Sequence, residues 1–267
     1  MSVSTARIKL IAKSILNQNF IITAIATVIL VSAVILCYNI TAVLAMIFGD
    51  VLAVALNSLM CLFILVPLIL GIVRYFWRLC CGVTDNLVCI FYYYSSLKLY
   101  FKAIKLNFML FIRIFACFFI FSIPVMIAKL ISSSWLYSVL GLSIPIWTVN
   151  FTNIINFLIY IAVILTFFSA LKFYIAPVLL VANEELSVRD IIHYAAIISN
   201  KTYFNYLFFA SSFIWCILLS VLVIPVIFII PYMIISYLVY SSYAISSYNE
   251  KIFKNNQDNI PTYVAGV

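Results

Sequence analysis

The sequence predicts an all-α, polytopic membrane protein with about six transmembrane helices and amphipathic interfacial helices on the inner side. Of its 267 residues, 67% are hydrophobic and only 8% are charged, whereas soluble domains are about half apolar and about a quarter charged. The apolar residues also form long stretches, and about 20 helical residues cross a bilayer core of about 30 Å. A chain with so few polar residues cannot cover a water-facing surface, so its solvent is lipid.

The longest uncharged stretch covers residues 202–249, which is 48 residues. A single helix of that length would extend about 72 Å, more than twice the thickness of the membrane core. Pro225 and Pro231 mark the predicted reversal, because proline removes a helical hydrogen bond and clashes with the preceding turn. The stretch is therefore predicted to be a helical hairpin.

The same comparison of lengths predicts the remaining spans. The six predicted spans cover residues 20–47, 51–76, 104–130, 153–181, 203–222 and 228–248. The apolar segment flanked by Trp135 and Trp147 would extend only about 20 Å, so an interfacial or re-entrant placement is expected. No internal repeat or low-complexity linker divides the chain. It is predicted to form a single integral-membrane domain over 1–267, with an amphipathic N-terminal segment (1–19) and a polar C-terminal tail (249–267).

Basic residues predict the orientation. The chain has 15 Lys and Arg against 7 Asp and Glu, a formal charge of +8. With both termini inside, all basic residues lie on the inner side except Lys129, which lies outside, and Arg113 and Lys172, which lie within spans. Cytoplasmic segments of membrane proteins carry such an excess of Lys and Arg. The predicted location is the cell membrane, multi-pass, with both termini cytoplasmic.

Three segments have the apolar periodicity of helices that lie on a membrane surface. One face is apolar at helical spacing in each of residues 8–16, 87–104 and 188–198. The third segment follows Ser187, which is spaced from Asp190 as in a capping box. We expect all three helices on the inner surface, with their apolar faces toward the acyl chains.

Five basic residues are candidate contacts for anionic lipid. Lys98, Lys102 and Lys105 share one helix face by their i, i+4, i+7 spacing, and Arg74 and Arg78 are one turn apart. A basic residue near an anionic surface contributes about 1 kcal/mol. The predicted partners are the lipid bilayer and its anionic headgroups on the inner face, not nucleic acid. Ordinary positive-inside orientation explains the same residues without a specific lipid site.

Lys172 is a candidate buried charge. It lies within the span 153–181, about 15 Å from Asn183 at the inner end, and no span interior holds a carboxylate to pair with it. Such a placement costs roughly 2.5–3.5 kcal/mol on insertion scales. Pro177 frees the carbonyl of Phe173 as a local acceptor, and a neutral lysine is another solution. Lys172 either faces a wet cavity or an anionic ligand, or is a tolerated burial.

The sequence contains little that could carry chemistry. It has one histidine, His193, three residues after Asp190, and its seven cysteines are scattered without a CxxC pair. No catalytic, cofactor-binding or metal site is predicted, and the protein is not expected to be an enzyme. Polar residues share one side of the last span, where they either join helices or line a permeation path: Ser236, Tyr240, Tyr243 and Ser247. The predicted function is a non-catalytic membrane interaction or accessory subunit; the alternative is a small transporter or permease subunit.

The C-terminal third resembles an uncharacterised bacterial integral-membrane family, domain of unknown function nine-seven-five. The residues that carry the resemblance are Pro177, Glu184–Glu185, a helix ending at Ser199, Ser-Ser-Phe-Ile-Trp over 211–215, Pro231–Tyr232 and Tyr240. Residues 7–20 and 67–71 also look like this family. The resemblance implies a polytopic membrane architecture and a distant similarity to the membrane domain of glycerophosphodiester phosphodiesterases. It implies no particular activity and leaves a membrane-protein partner unidentified.

Overall fold

The computed structural model describes residues 4–131, 151–219 and 223–255. Within these ranges it is 91% helical and contains no β-strand. Five helices are long and apolar enough to cross a membrane: Phe20–Ile47, Val51–Cys80, Leu97–Ile131, Asn153–Ala182 and Val226–Tyr248. The predicted class, an all-α polytopic membrane protein, is confirmed. The segment between Trp135 and Trp147 lies outside the described residues.

The described α-helices, numbered in chain order, are α1 (Thr5–Gln18), α2 (Phe20–Phe48), α3 (Asp50–Met60), α4 (Val66–Cys80), α5 (Leu97–Ile131), α6 (Phe151–Ala170), α7 (Ala176–Ala182), α8 (Val188–Ser211), α9 (Ile214–Leu219) and α10 (Val223–Asn255). A π-helical turn, Cys61–Leu65, joins α3 to α4, and 3-10 segments cover Leu87–Tyr94 and Leu171–Phe173. The hydroxyl of Ser187 accepts from the Asp190 N–H at 3.3 Å. This contact confirms the predicted N-cap of α8.

The chain divides into two compact units. Unit 1 comprises Met1–Asn107 with Ile175–Val267, and unit 2 comprises Phe108–Tyr174. In unit 1, α10 packs against α1, α4 and α2, while α4 packs against the segment Leu87–Tyr94 and α7. The largest fully buried side chains of unit 1 include Tyr75, Phe76, Ile90, Ile175 and Ile192. A single integral-membrane domain over 1–267 stays a prediction.

The predicted span 203–222 is wrong as a continuous helix. α8 runs unbroken past the predicted end at Ser199 and stops at Ser211. There the Lys9 ammonium donates to the Ser212 carbonyl at 3.0 Å and lies 4.5 Å from the centroid of the Phe213 ring. A lysine at a helix C-terminus satisfies a carbonyl that has no helical donor and complements the helix dipole. The described part of this stretch contains no helix long and apolar enough to cross, so the described residues contain five candidate spans where six were predicted.

The predicted helical hairpin is confirmed, because Phe209 stacks on Tyr240 with ring centroids 4.6 Å apart and Phe213 lies 5.8 Å from Tyr232, an antiparallel pairing. Its reversal does not lie at Pro225 and Pro231, because both prolines are inside α10. The helix also continues over 249–255, which had been assigned to the polar C-terminal tail. Residues 256–267 of that tail lie outside the described part of the chain.

The N-terminal helix runs antiparallel to α10. Phe20, just after α1, stacks on Phe228 with ring centroids 5.1 Å apart. At the other end, Thr5 lines the same pocket as Ser247. One face of α1 is buried at Ile8, and Arg7 on another face is exposed. The start of α1 therefore lies beside the end of α10. The placement of α1 on the inner membrane surface stays a prediction.

A glycine of α4 allows the loop after that helix to lie against it. A Cβ atom on Gly71 would lie 1.8 Å from the carbonyl oxygen of Ile90, so only glycine allows this close approach. Residues 87–104, predicted as one surface helix, belong to two elements, because helical structure is interrupted between the 3-10 segment and α5. At this break the Ser96 hydroxyl accepts from the N–H of Leu99 at 3.4 Å.

Candidate functional site

Three polar residues of unit 1 converge on Glu184, and we call the four residues the Glu184 cluster: Arg74, Tyr92, Lys102 and Glu184. The Arg74 guanidinium forms an ion pair with the Glu184 carboxylate, and the Tyr92 hydroxyl donates to its other oxygen at 2.7 Å. The Lys102 ammonium donates to the main-chain carbonyl of the same glutamate. The Arg74 guanidinium also lies 3.3 Å from the centroid of the Tyr92 ring. The cluster therefore joins α4, the 3-10 segment, the first turns of α5 and the turn after α7.

The local sequence explains how each group reaches the cluster. Gly71 lets the 3-10 segment lie against α4, one turn before Arg74, so that Tyr92 faces the guanidinium. Pro177 is in the first turn of α7, where a proline is tolerated. The short helix ends at Ala182, and Glu184 follows in the exposed turn. The four contacts place three different elements around one acidic turn.

Burial and charge keep Tyr92 a hydrogen-bond donor. Burial raises the pKa of the Tyr92 hydroxyl, and its hydrogen bond to Glu184 raises that pKa further, while Arg74 opposes both effects. The side chain of Arg74 is 11% exposed and that of Glu184 is 41% exposed. Solvent at the exposed glutamate therefore weakens the electrostatic attraction between the two charges. We attribute the stabilising effect of the cluster to the cation–π contact and the hydrogen bonds as much as to the ion pair.

A second ion pair lies at the end of α4. The Arg78 Nε atom is 2.6 Å from the Asp85 Oδ2 atom, although the two groups are not aligned as a hydrogen bond. Gly82 adopts φ +79 and reverses the chain directly after the helix, and the N–H of Val83 donates to the Arg78 carbonyl at 3.0 Å. Burial raises the pKa of the Cys89 thiol, and the neighbouring Asp85 carboxylate acts in the same direction.

The five predicted lipid contacts separate into two groups. Arg74, Arg78 and Lys102 engage acceptors of the protein itself. Lys98 and Lys105 are exposed. Headgroup binding stays a prediction for all five, and the two exposed lysines are the ones whose charges face away from the protein.

Sequence reasoning did not identify Glu184 as the centre of this site. Glu184 and Glu185 appear in the sequence analysis only among the residues that carry the family resemblance. The partner of Glu184 lies 110 residues away in the chain, and no local spacing indicates such a pair. One feature of the sequence did indicate that Glu184 has a basic partner: it lies in an acidic turn on the side of the membrane predicted to be rich in basic residues.

Lys172 lies in the 3-10 segment Leu171–Phe173, which interrupts the span Asn153–Ala182 between α6 and α7. Its side chain is exposed. The other charge predicted within a span, Arg113, lies 5.7 Å from the centroid of the Phe173 ring, within unit 2. Both interpretations of Lys172, a site or a tolerated charge, stay open as predictions.

The described part of the chain contains no group of three His, Cys, Asp or Glu side chains that could hold a metal ion. His193 is exposed on α8 beside Tyr194, with ring centroids 6.0 Å apart. Fold and cluster together define the class as an all-α polytopic membrane protein with an ionic cluster that joins its helices. No family model, curated protein or solved structure matches the chain. The resemblance to domain of unknown function nine-seven-five stays a prediction.

Proposed function

We propose that the protein is a non-catalytic accessory subunit of the cell membrane, which binds another membrane protein through unit 2. The observation that carries this proposal is the low burial of two of the five spans. In the most apolar stretch of Leu97–Ile131 and of Asn153–Ala182, 6% of the residues are buried. The corresponding share is 39% in Val51–Cys80 and in Val226–Tyr248.

Few of the described side chains of unit 2 are buried. Its buried side chains among the described residues are Val125, Ala128, Ala162 and Tyr174. Large aromatic side chains are exposed instead: Phe108, Phe111, Phe115, Phe118, Phe119, Phe157, Phe167 and Phe168. Helices in a bilayer associate through close packing, because lipid tails are as apolar as the side chains themselves. Spans with so little packing of their own have whole faces available to a partner.

The orientation proposed for this subunit has both termini in the cytoplasm. The excess of basic residues predicted on the inner side supports it. The neighbouring positions of Thr5 and Ser247 also support it, because they line one pocket and so lie at the same membrane face. Lys98 and Lys105 are the residues proposed to contact anionic headgroups at this face.

Site-specific photo-crosslinking in intact cells tests the proposal. A photoreactive phenylalanine replaces Phe115 or Phe119 in unit 2, which are 57% and 55% exposed, and Ile35 in α2, 54% exposed, is the matched control. We expect the unit 2 positions to form an adduct of discrete mass with another polypeptide, and the control position to form only lipid adducts. Lipid adducts at all three positions contradict the proposal. An adduct of twice the 30.4 kDa chain mass indicates self-association and also contradicts it.

A small transporter is the second candidate, and the interrupted span around Lys172 favours it. Transporters place unwound helix segments and charged groups where substrates or ions bind. Lys172→Leu separates this function from a tolerated charge. Normal insertion with failure to complement a deletion strain supports transport. Full complementation together with higher thermal stability in detergent would show that Lys172 has no role in transport, and it would contradict this second candidate.

A further inference from the structure

A polar pocket lies within unit 1 between α1, α8 and α10. Its volume is about 300 Å³, at the lower end of the range for small-molecule sites. The lining residues are Ser4, Thr5 and Ile8 near the start of α1, Thr202, Asn205 and Phe208 from α8, and Tyr240, Tyr243, Ala244 and Ser247 from α10. None of them carries a charge.

Seven of these ten side chains carry a hydroxyl or an amide, and the other three are apolar. Hydroxyls and amides donate and accept hydrogen bonds in several directions without a net charge. The pocket is open on one side, where Asn205 and Phe208 are exposed, and its lining offers no counter-charge to a charged ligand. The lining therefore matches a neutral ligand that has many hydroxyl groups.

The walls of the pocket are held in place by contacts between α8 and α10 and by one contact of α1. The Tyr240 ring stacks on Phe209 with centroids 4.6 Å apart, and its hydroxyl donates to the Thr202 carbonyl at 3.4 Å. The α1 wall is held by the contact of Lys9 with the Ser212 carbonyl. A preformed site loses less conformational freedom on binding than a mobile one.

The position of the polar residues also needs an explanation. The stretch 202–249 has no charge and is strongly apolar, yet Thr202 and Asn205 recur at helical spacing, as do Tyr240, Tyr243 and Ser247. Sequence reasoning interpreted the polar side of α10 as a seam that joins helices or as a permeation path. Ser236 is buried, but the next three residues of that side line the pocket.

We propose that this pocket binds a neutral polyhydroxyl group of about the size of one sugar or cyclitol. A free sugar and the sugar headgroup of a glycolipid share this chemistry, and the pocket fits both. The proposal does not depend on the accessory role of unit 2, because every lining residue belongs to unit 1.

The test uses the full chain, purified in a detergent without sugar headgroups. Glucose, myo-inositol, a glucosyl-diacylglycerol in mixed micelles and glucose 6-phosphate are each titrated against the melting temperature. We expect saturable stabilisation by at least one neutral probe, and none by glucose 6-phosphate. Saturation by the glycolipid alone assigns the site to a headgroup, and saturation by a free sugar assigns it to a soluble ligand.

Variants place the binding in the pocket. Tyr243→Phe and Asn205→Leu each remove hydrogen-bonding groups, and we expect each to raise the apparent Kd about five- to tenfold. Tyr160→Phe is the matched control, because Tyr160 is 68% exposed on α6. If either of these pocket variants does not fold, Thr202→Val replaces it in the test. The proposal is wrong if no neutral probe saturates, if glucose 6-phosphate stabilises equally, or if the pocket variants bind like the control.

Discussion

The Tyr100 hydroxyl donates to the main-chain carbonyl of Phe63 at 3.0 Å. In a regular α-helix that carbonyl would accept from the N–H of residue 67, but residue 67 is proline and has no N–H. The Tyr94 hydroxyl likewise donates to the carbonyl of Ile64. Two tyrosines from beyond α4 therefore donate hydrogen bonds to carbonyl groups of the π-helical turn, which interrupts the second span.

We expect Tyr100→Phe to lower the free energy of unfolding by about 1 kcal/mol, because the Phe63 carbonyl loses a donor in an apolar environment. Pro67→Ala restores an N–H to the same turn. Thermal unfolding in detergent of both single variants and the double variant forms a double-mutant cycle. Tyr100→Phe should cost clearly less in the Pro67→Ala background. Equal costs in both backgrounds would mean that the tyrosine does not replace the missing helical donor.

Glu184 and Glu185 are adjacent and both exposed, which makes them a matched pair. We expect Glu184→Ala to destabilise unit 1 by about 1–2 kcal/mol, because Arg74 and Tyr92 lose their shared carboxylate. Glu185→Ala should change stability by less than about 0.5 kcal/mol, as a surface substitution. The measurement is the melting temperature of each variant in the same detergent. Equal effects of the two substitutions would contradict the structural role of the Glu184 cluster.

The reactivity of Cys89 should depend on Asp85. Burial and the Asp85 carboxylate raise the pKa of the Cys89 thiol, so less of the reactive thiolate is present near neutral pH. In a protein that retains Cys89 as its sole cysteine, Asp85→Asn should lower this pKa. The maleimide reaction should then be faster at pH 8 and its pH profile should move to lower pH.

Reaction at a pH high enough to ionise the thiol fully is the control for accessibility. There the two proteins should react at the same rate, since Asp85→Asn changes the charge and not the size of the side chain. A rate increase of the same size at every pH would show that Asp85 limits access to Cys89 and does not act through its charge.

Ser4 and Ser247 line one pocket, so they should lie on the same side of the membrane. In a cysteine-free background, Ser4→Cys and Ser247→Cys should both be shielded from an impermeant thiol reagent in intact cells and react after permeabilisation. Native Cys81, retained alone, should behave in the same way. Val226→Cys should react from outside, because the last span runs from Val226 to Tyr248. Reaction of Val226→Cys and Ser247→Cys from the same side would mean that this helix does not cross.

The sequence by itself determined the membrane class and the approximate extent of five spans. They were predicted at 20–47, 51–76, 104–130, 153–181 and 228–248, and the structure has them at Phe20–Ile47, Val51–Cys80, Leu97–Ile131, Asn153–Ala182 and Val226–Tyr248. Hydropathy over about 20 residues is a local property, and in lipid each backbone must satisfy its hydrogen bonds within its own helix. The N-cap at Ser187 was predictable for the same reason, because its hydrogen bond to Asp190 closes within one turn.

The tertiary structure decided where helices end and which polar groups meet. α8 ends where Lys9, about 200 residues earlier in the chain, reaches the Ser212 carbonyl. The proline rule indicated a break near Pro225 and Pro231, but both prolines lie inside α10. Glu184 meets Arg74, and Tyr100 meets the Phe63 carbonyl, only because helix packing brings them together. Contacts between residues far apart in the chain have no period or spacing, so only the folded structure reveals them.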